Sequence, residues 1–195
     1  MKRRKFINNL SATGLGILGV NNIYANNFFN KNIFKLKYAP HIGMFSNSVG
    51  KNLIDQLNFM ADQGFTAFED NGMKNRSGSV QSQMSSVMEN RNIRMGVFVA
   101  HEIYWQKPNL ASGDINLRNE FLQHIRESVE VAKRVNAKWM TVVPGFVDLR
   151  QNISYQTAHV IESLKQASAI LEPHDLTMVL EPLNFRDHPG LFLSE

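Results

Sequence analysis

The chain has 195 residues, 43% of them hydrophobic and 19% charged, the balance of a folded domain with a sizeable core and not of a disordered or fibrous chain. It has no cysteine, which excludes a disulfide framework and cysteine-ligated zinc or iron–sulfur centres. The formal charge of +4 comes from Lys2, Arg3, Arg4 and Lys5; from residue 26 onward 17 basic side chains face 17 acidic ones, and no basic stripe interleaved with aromatics marks a nucleic-acid surface.

Residues 1–25 combine a basic start, an apolar, glycine-rich stretch from Leu10 to Val20 and a small-residue cleavage site after Ala25. The apolar run is too short to span a bilayer as a mature helix. Arg3-Arg4-Lys5-Phe6-Ile7 resembles the twin-arginine export signal, which implies transport by the twin-arginine translocase in a folded state and a periplasmic location. Residues 26–37 read as a linker, and 38–195 as one domain.

The first predicted strand covers 37–45 and contains His41-Ile42-Gly43. A helix over 51–63 follows, with Leu53, Leu57, Met60 and Ala61 at helical spacing, and Gly64 stops it. The second strand is 65–69, and Val80, Met84, Val87 and Met88 form the apolar stripe of a second helix. The third strand spans 93–100. The segment 114–136 places Leu117, Phe121, Ile125, Val129 and Ala132 on one helical face, with Asp114 as the cap. A fourth strand at 139–143 and a fourth helix at 157–172 repeat the unit. The fifth strand, 176–180, is an apolar run of the kind buried on both faces, and Glu181 follows it at once.

Four β-then-α units and a fifth strand predict a parallel sheet with right-handed crossovers. The roughly 170 residues after Ala25 suit a five-stranded doubly wound sheet, such as a flavodoxin-like domain with strand one in the middle, better than an eight-fold barrel of about 250. No glycine-rich phosphate loop follows the first strand, however, and polar or ionisable groups recur at nearly every strand end, as on a barrel rim. These are His41, Glu69 with Asp70, His101 with Glu102, Asp148, and Glu181 with Asn184, Arg186, Asp187 and His188.

In parallel α/β proteins ligands sit at the carboxyl ends of strands, so Glu181 is a functional candidate by position, the alternative being an ion pair with a neighbouring cation. His101 closes a strand as either a substrate contact or a hydrogen-bonded structural residue. Glu69 and Asp70 belong either to a site or to turn chemistry around Asn71-Gly72; His41 stands in the same position. Trp105 is a substrate-facing wall or core. Asp187 and His188 read as loop-fixing residues beside Pro189-Gly190.

The segment Glu181-Pro182-Leu183-Asn184, with Arg186-Asp187 and Pro189-Gly190-Leu191-Phe192-Leu193, resembles the strand-five region of hydroxypyruvate isomerase and its relatives in the xylose-isomerase-like TIM-barrel superfamily. Residues 64–69 and 132–137 resemble the approaches to that family's second and fourth strands, so the similarity runs through 38–195. The resemblance implies a parallel (β/α) TIM barrel and an isomerase or epimerase of small hydroxy-carbonyl compounds or sugars. Glu181 would be both metal ligand and acid/base group, with His101, Glu69, His41, Trp105 and Asn184 around the substrate. The metal would be a divalent cation, magnesium or manganese, suited to oxygen-rich ligation. Positions for the family's remaining ligands, on later strands, are absent from the sequence. The chain is therefore expected to represent the N-terminal part of such a barrel, about five strands and four helices, and to be inactive by itself. Open strand edges predict association, for instance into a homo-oligomer. A non-catalytic periplasmic carbohydrate-binding module on the same fold is the alternative.

Overall fold

The computed structural model describes residues 34–192. The export signal, the linker up to residue 33 and Leu193 of the C-terminal motif lie outside the described residues. Phe34, inside the predicted linker, stacks on Phe65 with ring centroids 4.7 Å apart, so the domain extends a few residues ahead of the expected boundary.

The strands are β1 (Ala67–Phe68), β2 (Arg94–Met95), β3 (Trp139–Val142) and β4 (Thr177–Leu180). The helices are α1 (Ser46–Val49), α2 (Leu53–Asp62), α3 (Gly78–Arg91), α4 (Ile115–Val135) and α5 (Ile153–Leu171). β1 pairs with β2 and β3 with β4, both in parallel. The two pairs are joined by a parallel bridge between Val99 and Thr141. The first predicted strand shrinks to a parallel bridge of His41 with Glu69, in which Ile42 N–H donates to the Glu69 carbonyl at 2.9 Å. β1 thus lies between that first segment and β2, which puts the strands in sequential order. A flavodoxin-like sheet, with strand one in the middle, is excluded, and the parallel βα barrel arrangement is confirmed.

The helices form where each apolar stripe meets a polar cap. Asn52, Ser77, Asp114 and Asn152 have side-chain oxygens that accept from backbone N–H groups in the first turns of α2, α3, α4 and α5. Asn92 and Asn136 end α3 and α4 in the left-handed region. The stripes pack against the strands: Phe68, Phe98 and Met140 are fully buried with Leu57, Met84, Ile125 and Leu171 from the helices. Burying each such side chain contributes about 1.5–3 kcal/mol.

A further device, absent from the sequence-based expectations, recurs in three of the units. Gln56, Gln81 and Gln156 are each the fourth residue of their helix and each is buried. Gln56 accepts from Gly43 N–H at 2.7 Å and donates to the Gly50 carbonyl at 3.0 Å. Gln81 donates to the Met73 and Arg76 carbonyls at 2.9 and 3.0 Å. Gln156 accepts from Asp148 N–H at 2.8 Å and donates to the Asp148 and Gln151 carbonyls at 2.9 and 3.0 Å. Each amide satisfies loop backbone that folding removes from water, and so fixes the loop between strand and helix. Its mark in the sequence is a cap residue with glutamine four positions on. Gln156→Leu, which keeps the bulk and removes the donors and acceptor, is expected to lower the unfolding free energy by about 2–3 kcal/mol in urea titrations.

One expectation is overturned. The fifth predicted strand, β4, is not buried on both faces: Val179 and Leu180 are 40% and 38% exposed. β4 is an edge, paired only with β3 among the described residues, so its apolar side chains have cover from one direction.

Candidate functional site

The carboxyl ends of the strands carry nearly all the residues singled out in the sequence. Alternation along the strands fixes which way each points. Met140 and Val142 enter the helical core, whereas Trp139, Thr141 and their register partners Thr177 and Val179 lie on the opposite, concave face. Glu181 continues the ladder, its N–H donating to the Val142 carbonyl at 3.1 Å, and two residues beyond Val179 it projects onto the same concave face. Its carboxylate is exposed and has no hydrogen-bond or ion-pair partner among the described residues. Glu69 alternates with the buried Phe68 and likewise lies on the concave face, half-buried.

The two histidines behave as a matched pair. His101 is buried; its Nδ1 lies 2.8 Å from the Glu102 carbonyl, and its Nε2 accepts from Val143 N–H at 3.2 Å. His41 repeats the pattern, Nδ1 at 2.6 Å from the Ile42 carbonyl and Nε2 accepting from Asn71 N–H at 3.4 Å. An Nε2 that accepts leaves the proton on Nδ1, so the His101 ring is neutral, and both histidines bridge their own strand end to the next one. Burial holds His101 at about 4, below its ordinary 6.5. With both nitrogens committed to backbone, neither ring is left to bond a substrate, and the expected substrate contacts at His101 and His41 become strand-end ties.

Asp70 is also structural. It is 1% exposed and forks onto Arg76, Oδ2 to Nε at 2.6 Å and Oδ1 to Nη2 at 3.1 Å, while Oδ1 accepts from Gly72 N–H at 3.0 Å. Asn184 organises its own loop: its side-chain oxygen accepts from Arg186 and Asp187 N–H groups, and its amide donates to Asp187 at 2.7 Å.

Trp105 is wall, not core. It is 48% exposed and its ring packs 5.2 Å from that of His188, tilted by 32°. The loop bearing it is anchored through Tyr104, whose hydroxyl donates to Glu120 at 2.6 Å; that carboxylate pushes the phenol up to about 12. Trp105 borders two cavities. One, of about 520 Å³, is lined by Asn71, Lys74, Asn75, Glu102 and His124 as well as His101. The other, of about 500 Å³, lies against Gln106, Phe146, Asp187, His188, Pro189 and Leu191. A cavity of about 620 Å³ sits at the opposite end of the strands, by Arg94 and Trp139, away from the residues that carry chemistry. Sequence reasoning does not find Lys74, Asn75 and His124: Lys74 and Asn75 follow a turn signal, but His124 sits mid-helix with no spacing to mark it.

No group of three histidine, aspartate or glutamate side chains among the described residues could hold a metal ion. Glu69 and Glu181 stand three strand spacings apart, roughly 14 Å along the sheet, too far to grip one cation. The described residues therefore do not fit a metal centre by themselves.

The profile of the family described as xylose isomerase-like TIM barrel matches residues 57–194. No curated protein matches the chain. Among solved structures, an AP endonuclease of family 2 from Brucella melitensis is similar at a TM-score of 0.67 and 18% identity, over 80% of this chain and 59% of that one. A 3-keto-D-glucoside 4-epimerase from E. coli is similar at 0.62 and 15%, over 81% and 59%. The IOLI protein with a bound zinc atom is similar at 0.57 and 15%, over 74% and 51%. At these identities the likeness is one of fold, and this chain spans about three-fifths of the length of the first two.

Proposed function

Because the chain belongs to the xylose isomerase-like TIM-barrel family, we propose that it serves an isomerase or epimerase of sugars or keto acids, of the hydroxypyruvate isomerase-like kind, exported to the periplasm by the twin-arginine translocase. The observation that carries this reading is the exposed Glu181 carboxylate, without a partner among the described residues, on the concave face at the end of β4. Beside a carbonyl, a carbon acid is weak, and a carboxylate positioned on it takes the proton while the electron pair moves into an enediolate. Return of the proton to the neighbouring carbon interconverts aldose and ketose; return to the opposite face of the same carbon inverts it.

A divalent metal, magnesium or manganese with Glu181 as one ligand, is the family's way of stabilising the enediolate oxygen, and the zinc-bearing neighbour supports a metal in this fold. The described residues bring Glu181 no companion ligand, so among them the proton transfer falls to the carboxylate alone. The exposed ring of Trp105 favours a second reading, a non-catalytic carbohydrate-binding module.

Deuterium incorporation from heavy water into hydroxypyruvate and small ketoses, with and without manganese, separates the two. Against the expectation from sequence of an inactive chain, the exposed carboxylate leads to exchange catalysed by the full chain and reduced at least a hundredfold by Glu181→Gln as the expected outcome. Exchange that survives the substitution overturns the role of Glu181, and binding without exchange establishes the second reading.

A further inference from the structure

We propose that the cavity at the end of the strands opposite Glu181 is a binding site for a zwitterionic α-amino acid with an aromatic or long aliphatic side chain. The inference does not depend on the activity proposed above.

The cavity, of about 620 Å³, is of the size that houses a small ligand and lies where α3 and α4 end and β2 and β3 begin. Met88, Ile93, Met95 and Val135, all buried core residues, form an apolar floor, and the ring of Trp139, 46% exposed, borders it. Ser85, Asn92 and Asn136 add polar groups; the two asparagines stand there because each ends its helix in the left-handed conformation. Charge completes the lining, in Glu89, Arg94 and Lys138.

The charges decide what the cavity can take. Lys138 is spent on Asp175 at 3.0 Å, and Arg91, the cation in the last turn of α3, is spent on Asp62. Glu89 and Arg94 remain. They are opposite in sign and exposed, and neither forms an ion pair with the other or with any other side chain among the described residues. Glu89 also stands in the last turn of α3, at the negative end of the helix dipole, where a carboxylate is disfavoured and a cation is favoured. A ligand with only a negative charge would meet Glu89 and the carboxyl ends of two helices; one with only a positive charge would meet Arg94. A ligand carrying both charges relieves both, its ammonium on Glu89 and its carboxylate on the planar fork of Arg94. Its side chain then has the Trp139 ring and the floor to pack on, and the thioethers of Met88 and Met95 adapt to apolar groups of different shape.

Calorimetric titration of the full chain with L-phenylalanine, phenylpropionate and phenethylamine tests this, since the second ligand lacks the ammonium and the third the carboxylate. A parallel readout is Trp139 emission in Trp105→Phe, which leaves Trp139 as the one tryptophan of the chain. L-Phenylalanine is expected to bind about tenfold more tightly than either truncated ligand and to change that emission. Glu89→Gln should bring L-phenylalanine down to the level of phenylpropionate, and Arg94→Gln to that of phenethylamine; both side chains are exposed, so neither change disturbs the core. Phenylpropionate or phenethylamine binding as tightly as L-phenylalanine, an advantage that survives both substitutions, or binding that leaves Trp139 emission unchanged overturns the proposal. So does the absence of binding by L-phenylalanine, L-leucine and L-methionine at millimolar concentration.

Discussion

Replacing His101 by alanine is expected to lower the unfolding free energy by about 3–4 kcal/mol, read from the urea midpoint at pH 7.5. The loss has two sources. The imidazole packs edge-on against Phe121 at 5.1 Å between centroids, so truncation opens a void beside a buried ring. It also strands the Val143 N–H, whose acceptor is His101 Nε2 at 3.2 Å, in a buried position. His101→Gln, which can still accept from that N–H, is expected to cost less than half as much and to change the pH response. Burial puts the folded-state imidazole at about 4 against an ordinary 6.5, so between these values the unfolded chain binds the extra proton. The stability owed to the neutral ring is complete above pH 6.5 and is lost as pH falls to 4, about 3 kcal/mol in all. From pH 7.5 to 5 the wild type should lose about 2 kcal/mol more than His101→Gln. Equal slopes for the two proteins would show that the ring is not held neutral.

Gly145→Ala is the second substitution with a large expected cost, about 3 kcal/mol or more. Gly145 adopts φ +93°, a conformation that side chains rarely tolerate, and a Cβ built there would stand 2.1 Å from the side-chain oxygen of Asn109. That oxygen is itself buried without a hydrogen-bond partner among the described residues, so the strand-end turn after β3 and the Asn109 amide are pressed together at some cost already. The two causes separate in a double-mutant cycle. Asn109→Ala alone is expected to be nearly neutral, because it removes an unsatisfied acceptor. In the double variant the steric part should vanish and the backbone part, about 1–2 kcal/mol, should persist. A cycle with no coupling would mean that the two groups do not meet.

The legible parts of this protein are those set by short-range periodicity. The stripe Phe121, Ile125, Val129 and Ala132 with the cap at Asp114 locates α4 to within a residue. α5 begins four residues ahead of the expected start, because its first turn is polar: Asn152 caps it and the buried Gln156 faces loop backbone. Apolar composition marks 176–180 as a strand but misjudges its burial, since hydrophobicity states a preference and the edge position of β4 decides the cover.

What the sequence determined by itself was the alternation of strand and helix, the parallel sheet it requires, and the place of Glu181 directly after a strand, all consequences of local period and of the short reach of the chain. The tertiary structure decided which strand-end groups are occupied. His101 is tied by an N–H 42 residues further on and His41 by one 30 residues further on, while the partner of Trp105 arrives on the loop after β4. Such partners are chosen by how crossover connections bring strand ends side by side, and hydrogen bonding then consumes the polar groups that meet; no local pattern encodes which histidine will be spent on backbone and which carboxylate will stay free.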